Sequence, residues 1–129
     1  MFCISPPPSF MSTFVKPLTW ILGIVLLIVG VLGFVMLSPL LGLFEVDMVH
    51  NVVHILSGVI ALWAASTGYQ YSRLYLMIFG LVYGLVAVLG FVMNGSILGL
   101  FAVNMYDNYL HSAIAIVCLV TAFGSHKSM

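Results

Sequence analysis

The sequence predicts an all-α membrane protein in which four transmembrane helices form a tandem, parallel repeat of two helical hairpins. Three observations carry that prediction. The chain has 129 residues, of which 64% are hydrophobic and only 5% charged; a soluble domain carries about 25% charged residues, so these polar groups are too few to cover a globule in water. The apolar residues fall into four runs of about 18 to 22, and at 1.5 Å of helical rise each run crosses the roughly 30 Å of a bilayer's hydrocarbon core. Finally, the chain repeats itself. Residues 41–54 read L-G-L-F-E-V-D-M-V-H-N-V-V-H, and residues 98–111 read L-G-L-F-A-V-N-M-Y-D-N-Y-L-H. Upstream, V-L-G-F-V-M at 31–36 returns unchanged at 88–93. Each copy holds two spans, an even number, so both enter the membrane in the same sense and the repeat is parallel. Barrel strands would alternate apolar and polar positions, which these runs do not.

The first 16 residues, with the triple proline Pro6, Pro7 and Pro8, predict a flexible tail, and Met11 is an alternative start to Met1. Residues 17–66 form the first hairpin, with spans over 17–37 and 49–66. The second hairpin occupies 67–124, with spans over 73–94 and 106–124, and 125–129 form a C-terminal tail. The first span is too long for a signal-peptide core, is followed by no A-x-A-like site and has a partner in the third span, so it should be retained. Gly23, Gly30 and Gly33 in the first span and Gly80, Gly84 and Gly90 in the third allow close helix approach, Gly80 and Gly84 at G-x-x-x-G spacing. The second span offers its own small face in Ser57, Gly58, Ala61, Ala64 and Ala65. Trp20, Trp63, Tyr69, Tyr71 and Tyr75 fall near one predicted boundary and Tyr106 and Tyr109 near the other, where amphipathic rings anchor helices. The connections 38–46 and 95–103 remain apolar and should lie in the interface plane, with Phe44 and Phe101 dipping inward.

Three positive and three negative charges leave the chain neutral, so nothing points to nucleic acid. Their placement is informative. Lys16, Arg73 and Lys127 lie at one set of span ends and Glu45, Asp47 and Asp107 at the other, which orients both termini toward the cytoplasm by the positive-inside rule. The expected location is a cell inner membrane. Cys3 in the tail and Cys118 in mid-span are too far apart to pair, so both should be free thiols.

The repeated motif concentrates the chemistry. Asp47 and Asn104 each precede an apolar helical run and are strong N-cap residues. With helices starting there, His50 and Asp107 occupy the third position, and His54 and His111 the seventh, about 10 Å below the helix start. His50 and His54 share a face, as do Asp107 and His111, and Asn104 with Asp107 has capping-box spacing. Asn51 and Asn108 stand three residues before the deeper histidines and could fix their tautomers. Three functions suit such a cluster. His50, His54, Asp107 and His111 could bind a transition metal. His54 and His111 could be axial ligands of a haem-like tetrapyrrole. Buried imidazoles could also pass protons. Against all three stands a bland alternative, in which the histidines and asparagines simply hydrogen-bond the neighbouring hairpin's backbone.

L-L-G-L-F-x-V-x-x-x-H-N-x-x-H over residues 40–54, followed by the second copy ending D-N-Y-L-H at His111, resembles a family of small bacterial four-helix membrane proteins known only as a domain of unknown function. The similarity covers nearly all of residues 16–124. It implies a four-span inner-membrane protein and supplies no activity. No H-E-x-x-H, C-x-x-C, G-x-S-x-G or phosphate-loop pattern occurs. The leading expectation is therefore non-enzymatic: a small polytopic protein, surrounded by lipid, acting as a homo-oligomer or as an accessory subunit of a larger membrane complex. A metal or tetrapyrrole protein is the alternative.

Overall fold

A computed structural model describes residues 4, 6–93 and 95–126. Cys3, Asn94 and Lys127 lie outside the described residues, and so does what their positions predicted. The elements are α1 (Ser12–Val35), α2 (Met48–Thr67), α3 (Tyr69–Met93), β1 (Ser96–Ile97), β2 (Phe101–Ala102) and α4 (Met105–Gly124). All four helices are long and apolar enough to cross a membrane, so this is a multi-pass membrane protein.

α1 packs chiefly on α2, and α3 on α4, which makes the two hairpins. Hydrogen bonds show which ends meet. Ser9 N–H donates to the His126 carbonyl (3.0 Å), and Arg73 Nε to the Ala122 carbonyl (2.9 Å), so the described terminal segments and the α2–α3 junction share one end. The α1–α2 and α3–α4 connections bond to each other at the opposite end, called the rim below.

Small residues set the approach within each hairpin. A Cβ on Gly58 would lie 2.7 Å from Leu27 N, so α1 and α2 touch backbone to backbone. At the equivalent crossing of the second hairpin the small residue has changed sides: Gly84 of α3 faces Ala115 of α4. The core nearest the termini is Val15, Ala61, Ala64, Leu76, Cys118 and Ala122, a dry apolar cluster joined by Tyr75.

Four expectations are corrected. α1 begins at Ser12, inside the anticipated tail, because Ser12 Oγ bonds the Ser9 carbonyl and Thr13 Oγ1 that of Phe10, starting the helix a turn before Pro17. The α2–α3 connection is the single residue Gly68, whose φ of 147° is open essentially to glycine alone. Arg73 consequently sits inside α3, where its guanidinium meets the last carbonyls of α4, a favourable place for a cation. Tyr75 is not a boundary anchor: it is buried, donates to the Ser57 carbonyl (3.0 Å) and stacks on Phe79.

Each rim connection is a tight reversal. Leu40 pairs with Phe44 in the first and Ile97 with Phe101 in the second. Positive φ recurs at equivalent positions, Leu41 (55°) and Gly42 (73°), then Leu98 (50°) and Gly99 (69°). A leucine held in the left-handed region costs about 1 to 2 kcal/mol, so the bonds closing each turn must outweigh it.

Candidate metal centre

The rim is built on two helix starts. Asp47 caps α2 in extended conformation, its Oδ1 accepting from His50 N–H (2.9 Å). Asn104 caps α4 in a complete capping box: its side chain accepts from Asp107 N–H (3.0 Å), while Asp107 Oδ2 accepts from Asn104 N–H (2.8 Å). Each carboxylate also reaches the other hairpin. Asp47 Oδ2 accepts from Ala102 N–H (2.6 Å) and Asp107 Oδ2 from Glu45 N–H (3.0 Å). Glu45 and Ala102 are equivalent residues of the two repeats. Asp47 and Asp107 are not: one is an N-cap, the other lies a turn later. Asn104 Nδ2 completes the brace with a bond to the Leu43 carbonyl (2.6 Å).

The His50 ring lies beside the backbone of Glu45 and Ala102 but makes no well-formed hydrogen bond there. His50 holds the position that Asp107 holds in α4, but its imidazole turns inward toward His54 and His111. Ring centroids are 4.5 Å apart for His50 and His54, 5.8 Å for His50 and His111, and 6.4 Å for His54 and His111. Each imidazole presents a nitrogen, and the three nitrogens lie within 4.8 Å of one another. All three residues are buried. The backbones of α2 and α4 do not approach within 8 Å, so the imidazoles bridge the diagonal of the bundle.

Their polar atoms are unspent. Both ring nitrogens of His50, and Nδ1 of His54 and of His111, are buried without a hydrogen-bond partner among the described residues. A buried unmade hydrogen bond costs about 1 to 3 kcal/mol, so four such atoms in one place need an explanation. Below them lies a cavity of about 30 Å³ lined by the three histidines with Ser57, Tyr83, Phe101 and three valines, Val53, Val82 and Val86. That space accepts an ion and one small ligand. It is far below the 300 Å³ or so that sites for larger organic ligands need, so a tetrapyrrole between His54 and His111 does not fit.

Two further site expectations change. Asp107 stands beside the triad but outside its converging nitrogens, its Oδ2 held by the N–H groups of Glu45 and Asn104. Asn51 and Asn108 do not orient the imidazoles. Their Oδ1 atoms press on Gly33 of α1 and Gly90 of α3, so closely that a Cβ at either glycine would overlap them. Two residues of the site were not assigned to it from the sequence, Tyr83 and Phe101, the second expected only to dip inward from its connection. Tyr83 lies 5.5 Å from the His111 ring with its hydroxyl toward Ser57, and Phe101 lies 5.3 Å from His50. A lone tyrosine in the middle of the third apolar run was the available signal for the first; for the second it was the inward phenylalanine of the repeat.

A family model described as a domain of unknown function, DUF4383, matches residues 16–124. The chain belongs to that family. The DUF4383 match takes in both hairpins and every residue of the triad. No curated protein and no solved structure matches the chain.

Proposed function

We propose that this DUF4383 protein binds a transition metal ion through His50, His54 and His111. One observation carries the reading: three buried imidazoles converge, and four of their ring nitrogens are buried without a hydrogen-bond partner among the described residues. In this rim Asp47, Asn104 and Asp107 make the hydrogen bonds that join the hairpins, while the His50 ring lies beside the Glu45 and Ala102 backbone without a well-formed hydrogen bond to either. Three histidines with room for a fourth ligand is a donor set that transition metals accept. The proposed role is binding of the ion by the imidazoles, with Ser57 and Tyr83 lining the space beneath it.

A proton path is disfavoured. Beneath Tyr83 and Ser57 lies the apolar cluster around Leu76 and Cys118, where the Tyr75 hydroxyl donates to the Ser57 carbonyl, an acceptor that cannot pass a proton on. We also infer that the protein sits in a bacterial inner membrane with both termini cytoplasmic and the triad near the outer face, which Lys16 and Arg73 support by the positive-inside rule. A reporter fused after residue 129 that is active only outside the cytoplasm would overturn that orientation.

Metal analysis of protein purified in detergent tests the site. Wild type should retain close to one ion per chain, and removing any one of the three histidines should weaken retention about a hundredfold or more. If His50→Ala, His54→Ala and His111→Ala all hold metal like wild type, the reading fails.

A second reading, an oligomer or accessory subunit, is favoured by an apolar groove of about 340 Å³ between α1 and α4, lined by Met11, Phe14, Leu18, Ile21 and Val117 among others. Light scattering in detergent decides it: a strictly monomeric particle that carries no other protein would remove this role.

A further inference from the structure

We propose that the ion held by the triad is copper(I), and that four methionines on the same rim pass it inward. This deepens the metal-centre reading and rests on it.

Charge is the first ground. The coordinating group is three neutral imidazoles with no carboxylate among them. The nearest acids, Asp47 and Asp107, each already hold two backbone N–H groups at the positive end of a helix. These two carboxylates lie on the His50 side only and offset part of a bound ion's charge without ligating it, and the rest falls in apolar surroundings. Charging cost rises with the square of the charge, so a divalent ion meets roughly four times the penalty of a monovalent one.

Coordination is the second. Copper(II) prefers square or tetragonal sets that three converging imidazoles do not supply, and magnesium or calcium would require oxygen ligands. The valines and Phe101 around the cavity discourage the extra waters that a hard ion keeps.

The third ground is the methionines. Met36 and Met93 close α1 and α3, and Met48 and Met105 open α2 and α4, so two equivalent pairs ring the end of the bundle that holds the triad. All four are exposed, from 39% at Met93 to 72% at Met48. Met105 Sδ lies 3.9 Å from Asn108 Nδ2, on the turn of α4 that leads to His111. Thioethers are soft, uncharged donors that select copper(I) over harder ions, and weak donors on the same rim can release the ion to a stronger set. If these side chains serve only as apolar surface, leucine replaces them without consequence.

The full-length protein in detergent is titrated with copper(I) against a chromogenic copper(I) chelator, and with zinc(II) against a zinc chelator. One copper(I) per chain is expected, bound at least about a hundredfold more tightly than zinc. X-ray absorption at the copper edge should show three nitrogen neighbours. In the variant Met36→Leu/Met48→Leu/Met93→Leu/Met105→Leu, copper affinity should hold while loading from the chelator complex slows several-fold; the pair Met48→Leu/Met105→Leu gives the same comparison with fewer changes. Tighter zinc than copper, still requiring the histidines, overturns the copper assignment and leaves the metal centre standing. Wild type that holds neither ion overturns both. Methionine variants that load at the wild-type rate overturn the relay.

Discussion

Asp47 and Asp107 perform the same task from different rungs of their helices. Each accepts from its own helix start and from the backbone of the opposite connection, so each carboxylate is both a cap and a tie between hairpins. Asp47→Ala should therefore lose more than the 1 kcal/mol or so of an ordinary cap, since Ala102 N–H is also left without its acceptor; about 2 to 3 kcal/mol is expected from denaturant unfolding in detergent. A loss indistinguishable from zero would contradict the brace. His50 makes the opposite case. Its ring nitrogens make no well-formed hydrogen bond among the described residues, so an apolar side chain of similar volume removes a buried polar burden. His50→Leu should unfold at or above the wild-type midpoint without metal, yet fail to retain metal. A histidine kept for structure would behave the other way. More telling is the exchange Asp47→Asn/His50→Asp, which gives the first hairpin the capping residues of the second. It should keep the fold stable, measured by thermal unfolding, and abolish metal retention.

The hairpins approach closely because glycine lies where the partner's amide or backbone arrives. Gly33 faces Asn51 and Gly90 faces Asn108 with no room for a methyl group, whereas Gly84 has ordinary contact distance, 3.6 Å, to Ala115. Gly33→Ala and Gly90→Ala should each cost about 1 to 3 kcal/mol, while Gly84→Ala should be nearly neutral. Equal effects at the three sites would mean that the packing is described wrongly. Much at this scale could be read from the residues. Apolar run length gave the spans, and capping chemistry, being local, gave the starts of α2 and α4. What escaped was set by distant partners. Nothing near Asn51 in the sequence announces that its amide meets Gly33 on another helix, and nothing around Asp107 shows that Glu45 N–H claims it. The lone residue Gly68 was hidden by the polar residues after it, which suggested a longer connection but continue α3 as its first turns. Gly68→Ala, forced into a glycine-only region, should lose about 1 to 3 kcal/mol, checked by the same unfolding measurement.

Seen whole, the molecule is wired differently at its two ends. Away from the rim, Ser9 meets His126, Arg73 meets the end of α4, and an apolar cluster fills the interior. At the rim, carboxylates and an amide tie the hairpins around unpaired imidazoles. Ser9→Cys with His126→Cys, in a chain whose Cys3 is replaced by serine, should cross-link within one molecule under mild oxidation, because those backbones are hydrogen-bonded. Absence of the intramolecular band on a gel would contradict the meeting of the ends. The even span count made this arrangement legible, since two parallel hairpins must bring both connections to one side. Convergence of the imidazoles could be read from the sequence only on condition that their faces turn to the axis, because helix rotation depends on which small residues pack, and Gly58 and Gly84 lie on opposite partners of their pairs.

With one residue, Gly68, between α2 and α3, the chain has no slack at that end, and the two aspartates fasten the halves at the other, so the pair of hairpins is clasped at both extremities.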